Sequence, residues 1–307
     1  MPWRETPAEL ARARAERPVV VPAPTGRLFG IYTPPAPEAA PAGKCVVLLT
    51  TPRGHRNRMW VEAARRLAAE GFSAFRFDLH GAGDSEGETH FRDPGQPFRE
   101  DAVAVLRHLR TEFGETRFLL YGICFDARTA LSVLMDEAAA VEGVLFVAAP
   151  VLELDQLVQA DAERKGWRHL VTRALFNPEN WSGLLRAERW RHMGLVLGRL
   201  LQRRGGGGED AGGPALPLSP SFVTHFQAFA RSQARILFLY GTEDAEYETF
   251  KVAERTLLSR LEPAVSRRVE IDRMPGRVHG YLEVARQRAV LERCLAWFRG
   301  FHPAARA

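Results

Sequence analysis

Arg117-Phe118-Leu119-Leu120-Tyr121-Gly122-Ile123-Cys124-Phe125-Asp126 runs from an apolar stretch through a glycine to a cysteine, and Ala127 to Met135 continues as a helix-like run. A strand that turns sharply into a helix lifts one side chain to the edge of a sheet, beside a helix N-terminus, which is the setting of a nucleophile elbow. Cysteine stands here where serine is expected. A thiol in that place becomes a nucleophile more easily than a hydroxyl, because helix-terminal amides and a neighbouring histidine stabilise the thiolate. The competing reading is a small, buried, inert cysteine, the usual fate of a free thiol. Position in the turn favours the nucleophile.

Outward from this stretch, strand-like and helix-like segments alternate. Val19 to Val21 and Arg27 to Tyr32 read as a short antiparallel pair, followed by a Pro/Ala-rich loop from Pro34 to Gly43. Cys45 to Thr50 is continuously apolar, as a strand buried on both faces should be. Helical spacing follows over Met59 to Glu70 and ends at Gly71, a strand over Ser73 to Leu79, and an amphipathic helix over Phe98 to Phe113. After the elbow come a strand at Val144 to Val147, later strands at Arg235 to Tyr240 and Arg268 to Ile271, and a last helix over Val284 to Phe298. This rhythm implies a mainly parallel, doubly wound α/β sheet with right-handed crossovers.

The rhythm breaks after Pro150. Residues 151–220 hold Trp167, Phe176, Trp181 and Trp190 on helix-like segments, then Gly205 to Gly208 and three prolines, with no strand pattern. The expected organisation is a core of residues 1–150 and 221–307, with a helical cap of residues 151–220 inserted after the sixth strand. The glycine run is expected to be its flexible tip.

Two further segments carry chemistry. Leu239-Tyr240-Gly241-Thr242-Glu243-Asp244 sets an acid just past a strand, and Pro275-Gly276-Arg277-Val278-His279-Gly280-Tyr281 sets a histidine in the loop after the last strand. Glu243 and Glu246 compete with Asp244 for the acid's place, and the position after G-x-x favours Asp244. The order Cys124, Asp244, His279 is nucleophile, acid, histidine. All three fall after strands, at the sheet edge where open α/β folds place their ligands.

With these segments in hand, the chain from about Val19 to Phe298 resembles the α/β-hydrolase superfamily. Arg76-Phe77-Asp78-Leu79-His80-Gly81-Ala82-Gly83-Asp84-Ser85 matches its R-x-D-x-x-G-x-G-x-S turn, and Gly54 falls where the superfamily usually has His-Gly. Within it, the cysteine elbow and Pro178-Glu179-Asn180-Trp181 are similar to the exosortase A system-associated hydrolases, which are labelled as relatives of serine aminopeptidases and lysophospholipases. Cysteine-elbow thioesterases and aminoacyl shuttle enzymes are a further likeness. The resemblance implies a Cys124–His279–Asp244 triad. Pro52 has no N–H to donate, so the oxyanion amides are expected from Arg53 and Phe125, to within a residue of register. Asp126 departs from the pattern, because it replaces the elbow's second glycine and sets a carboxylate near the thiol, which opposes its ionisation.

The remaining motifs are weighed as structural. Asp78 and Asp84 are expected to hold their turn, His55, Arg56 and Arg58 to form a solvated loop, the cap tryptophans to be core, and Cys45 and Cys294 to be inert. Gly81-Ala82-Gly83 is followed by Asp84-Ser85 rather than a helix, so a dinucleotide loop is not implied.

Composition sets bounds. The chain has 307 residues, 46% hydrophobic and 26% charged, which suits one large α/β unit with an insertion. An excess of 42 Lys+Arg over 37 Asp+Glu is scattered, without the aromatic-interleaved basic stretch of nucleic-acid binders. Three cysteines suit a reducing compartment. No signal-like run follows Met1 to Pro18, and no apolar stretch reaches membrane-spanning length. The expectation is a cytoplasmic enzyme with no cofactor, no metal, no nucleic-acid partner and no membrane span. Its expected substrate is a small-molecule or carrier-bound acyl group in an ester or thioester, with an acidic acyl or peptidyl carrier protein as a compatible partner. The alternatives are a carboxylesterase or lysophospholipase-like hydrolase, and a catalytically silent binding protein of the same fold.

Overall fold

The computed structural model describes residues 15–50, 59–88, 97–153, 218–279 and 284–303. Eight strands form one sheet: β1 (Arg17–Ala23), β2 (Gly26–Thr33), β3 (Cys45–Thr50), β4 (Ser73–Asp78), β5 (Phe118–Ile123), β6 (Val141–Val147), β7 (Arg235–Gly241) and β8 (Val269–Met274). Their spatial order is β1-β2-β4-β3-β5-β6-β7-β8. β2 runs antiparallel to both β1 and β4, and every pairing from β4 through β3 to β8 is parallel.

The helices are α1 (Met59–Ala69), α2 (Arg99–Phe113), α3 (Phe125–Ser132), α4 (Leu134–Glu137), α5 (Pro220–Arg231), α6 (Ala245–Thr256), α7 (Pro263–Ser266) and α8 (Val284–Arg299). Period-two alternation sorts the strand side chains onto two cores. Leu145 and Val147 of β6 and Leu237 and Leu239 of β7 join Trp60, Ala64 and Leu67 of α1 and Leu291, Leu295 and Phe298 of α8. Phe146, Phe238 and Tyr240 point the other way. Phe146 and Phe238 meet the rings of Phe222 and Phe226 on α5, and Tyr240 stacks on Phe250 of α6 at 4.4 Å. Burial on both faces explains why β4 and β5 read as unbroken buried runs.

The strands lie within two or three residues of their sequence-based bounds. The helix-like run read over Ala127 to Met135 covers α3 and reaches into α4, whereas α5, α6 and α7 are additions of the structure. α5 starts with Ser219 at its N-cap, accepting the amide of Phe222 at 3.3 Å, and Pro220 in its first turn, a strong start signal.

Contacts divide the chain into two units: Met1–Val151 with Ser219–Ala307, and Leu152–Leu218. The second unit follows β6, the sixth strand, in the chain, and the residues of the first unit on either side of it are tied to each other. The Ser219 amide donates to the Val151 carbonyl at 2.9 Å. Arg128 of α3, fully buried, donates to the Pro150 carbonyl at 3.0 Å and to the hydroxyls of Ser219 and Ser221 at 2.8 and 2.6 Å. The helical reading of the cap, its tryptophans and its glycine-rich tip lie outside the described residues.

Candidate active site

β5 is the central parallel strand, flanked by β3 and β6. Its end delivers Cys124 in a conformation with φ 56° and ψ −128°, the N-cap position of α3. A non-glycine residue there is strained, and such strain gathers at functional sites. The Cys124 amide donates to the Val147 carbonyl of β6 at 2.9 Å, which holds the turn to the sheet. Gly122 permits the turn, since a β-carbon there would lie 2.5 Å from the backbone of Ala127. The close approach of strand and helix thus falls on Gly122 and Ala127. Asp126 is fully buried in the first turn of α3, where the positive end of the helix favours a carboxylate.

Phe125 opens α3, so its amide belongs to the first-turn N–H groups that a helix leaves without internal partners. That places one expected oxyanion donor next to the thiol. Arg53, the other, lies outside the described residues, as do His55, Arg56 and Arg58.

The acid and histidine loops are stitched together. The amides of Thr242 and Glu243 donate to the carbonyls of Met274 and Gly276 at 2.9 and 3.1 Å. Gly276 returns a bond to the Thr242 hydroxyl at 3.1 Å. A β-carbon on Gly241 would sit 2.4 Å from the Gly276 carbonyl and 2.5 Å from the Val278 amide, so glycine is needed for the loops to meet.

Asp244, 3% exposed, turns its carboxylate to the main chain. It accepts the amides of Gly241 at 2.8 Å, Val278 at 3.1 Å and His279 at 3.0 Å. The carboxylate on the imidazole is another one: Glu246 Oε1 lies 3.0 Å from His279 Nδ1. The structure therefore differs from the expected acid–histidine pairing. Glu246 sits in the first turn of α6, and its extra methylene carries it to the ring while Asp244 is engaged with the loop backbone. A sequence signal existed in the helical spacing of Ala245 to Thr256. The choice between two acids two residues apart is made by side-chain direction, which spacing does not encode.

Cys124, from the elbow, also acts on the His279 side chain. Cys124 first, then Glu246, hold the imidazole protonated against the opposing effect of burial, pushing its pKa up to about 11. Cys124 is half-buried at the rim of the core. The other two cysteines differ: Cys45 is fully buried and pushed well up by burial, and Cys294 is pushed up to about 12 by the same cause.

The Asp78 turn is structural. Asp78 Oδ2 accepts the Asp84 amide at 3.2 Å, and the Ser85 hydroxyl donates to the Asp78 carbonyl at 2.6 Å while accepting the Phe29 amide of β2. Among the described residues, no group of three His, Cys, Asp or Glu side chains gathers as a metal site. No described helix is long and apolar enough to cross a membrane.

A parallel sheet of this order, with an elbow after β5 and a histidine after β8, is the α/β-hydrolase fold. Residues 42–180 match a family model described as serine aminopeptidase, S33. No curated protein matches the chain. Among solved structures, an esterase from Pyrococcus furiosus aligns at TM-score 0.61 and 15% identity, over 98% of this chain and 96% of its own. A proline iminopeptidase from Mycobacterium smegmatis aligns at 0.58 and 15%, over 94% and 100%. An α/β serine hydrolase from Xanthomonas campestris, described as lacking a lid, aligns at 0.54 and 16%, over 94% and 95%. At such identities the likeness is one of fold.

Proposed function

We propose that the protein is an acyl hydrolase or acyltransferase that works through a Cys124 acyl-enzyme on an ester or thioester. The observation that carries this reading is Cys124 at a strained elbow beside a helix N-terminus, with the His279 imidazole acted on by its side chain and held at Nδ1 by Glu246. The Cys124 sulfur attacks the acyl carbonyl and forms a C–S bond, while the carbonyl oxygen takes up the negative charge. The Phe125 amide, with the Arg53 amide as the expected second donor, stabilises that oxyanion. As the intermediate collapses, the bond to the leaving alkoxide or thiolate breaks and the His279 imidazolium supplies its proton. His279, now neutral, deprotonates an incoming water, amine or thiol, which attacks the acyl-enzyme and releases Cys124.

Esters and thioesters suit this nucleophile better than peptides. From a tetrahedral intermediate a thiolate is expelled more easily than a poorly protonated amine, whereas one thioester exchanges for another at little free-energy difference. A carrier-bound acyl group fits the excess of basic residues, and the free cysteines fit a cytoplasmic setting. The cysteine in the elbow supports kinship with the exosortase A system-associated hydrolases. A plain carboxylesterase, with water as the acceptor, uses the same atoms.

The test is turnover of small acyl esters and thioesters by wild type and Cys124→Ala. A loss of about 10³-fold or more is expected on removing the nucleophile; unchanged turnover overturns the reading. One observation favours a second reading, a silent binding protein: Asp126 buries a carboxylate directly after the elbow. Under that reading iodoacetamide labels Cys124 no faster than a free thiol. Under ours it labels Cys124 selectively at neutral pH.

A further inference from the structure

We infer that the two acids after β7 divide the work, with Glu246 the positioning residue for the His279 ring and Asp244 the clasp for the loop that carries it. The inference rests on the proposed Cys124–His279 pair. Its ground is geometric. The two Asp244 oxygens already accept three main-chain N–H groups, from Gly241 on its own loop and from Val278 and His279 across the gap. They fix where the histidine's backbone stands. Glu246 instead reaches Nδ1 at 3.0 Å, with its side chain 18% exposed.

Each placement has its own physical consequence. A carboxylate at Nδ1 sets the tautomer that turns Nε2 toward the nucleophile, and it stabilises the imidazolium formed when the thiol gives up its proton. Its location in the first turn of α6 lets the helix N-terminus stabilise the negative charge of Glu246 without drawing it off the ring. Among the described residues, the titratable groups acting on the ring are Cys124 from the elbow and Glu246 from α6, while Asp244 acts on its amide. Glu246 therefore favours the thiolate–imidazolium form of the pair, whereas Asp244 favours the loop's position.

The pH dependence of Cys124 alkylation by iodoacetamide separates these roles, because it reads the thiolate directly and needs no substrate. In Glu246→Gln the Nδ1 hydrogen bond has an acceptor but no charge. Its alkylation profile is expected to move up by about one pH unit, which slows labelling near pH 6 to 7 by about tenfold and leaves the high-pH plateau unchanged. Glu246→Asp restores part of the shift. Asp244→Asn is expected to keep the wild-type midpoint of the profile and to lower the thermal unfolding temperature. A Glu246→Gln profile that superimposes on wild type, or a shift that appears in Asp244→Asn alone, overturns the division. Should Cys124→Ala retain full turnover while Glu246→Gln still shifts alkylation, the acyl-enzyme reading falls and the division of the acids stands.

Discussion

Asp244 Oδ1 accepts the backbone amide of His279 at 3.0 Å, so this buried carboxylate holds the histidine by its main chain and leaves the ring to another acid. Charge-assisted hydrogen bonds are each worth about 1.5–3 kcal/mol, and a buried donor left unmade costs about 1–3 kcal/mol. Asp244→Ala orphans three amides at once, so a loss of about 3 kcal/mol or more is expected in denaturant unfolding.

The His279 ring should respond to its two partners unequally. Cys124 contributes more than Glu246 to the upward shift. Cys124→Ala is therefore expected to bring the His279 pKa down further than Glu246→Gln does, as read from its NMR titration among the nine histidines. Equal shifts in the two variants would contradict the ordering.

The same shift gives a sign for stability. A histidine whose folded pKa of about 11 exceeds the unfolded value of about 6.5 binds its proton more tightly when folded. Its contribution is complete below pH 6.5 and disappears as pH rises toward 11. Solvent screening reduces the effect, because the side chain is 39% exposed. Between pH 7 and 10 wild type should lose more stability than His279→Ala, compared by urea unfolding at each pH.

Gly122→Ala forces a β-carbon to 2.5 Å from the Ala127 backbone. Overpacking of this kind costs about 1–3 kcal/mol, and backbone against backbone gives no flexible tip to move aside. The variant should unfold at lower denaturant and alkylate Cys124 more slowly at neutral pH. Retention of both properties would show that the elbow tolerates the extra atom.

Arg128 keeps three hydrogen bonds from a fully buried position, to the Pro150 carbonyl and to the hydroxyls of Ser219 and Ser221. Arg128→Met replaces the stem and drops all three, and a loss of about 2–4 kcal/mol is expected by chemical denaturation. An unchanged midpoint would mean that these residues are held by other contacts.

Much of this arrangement is legible in the sequence because its signals are local. Cys45 to Thr50 and Phe118 to Ile123 are apolar throughout since both their faces are covered, and a glycine two residues before the cysteine marks a turn that a side chain would block. What spacing could not reach was direction. Asp244 and Glu246 sit two residues apart on one loop and helix start, and only the crossing loop from β8, with its amides pointing inward, decides which of them faces the ring. α5 and α6 are less legible: α5 follows a long stretch without strands, and the helical spacing that begins at Ala245 starts directly behind the loop acids. The burial of Arg128 depends on contacts far along the chain, such as that with Ser219, which local spacing does not encode.

The separation of the proposed reacting groups along the chain has a temporal consequence. Cys124 leaves the ribosome long before His279, and β7 and β8 must add to the sheet edge before imidazole and sulfur can meet. If Cys124 and His279 act as proposed, a nascent chain halted before its last strand lacks the pair, and the onset of rapid alkylation during synthesis would report the moment at which the C-terminal strands have joined the rest.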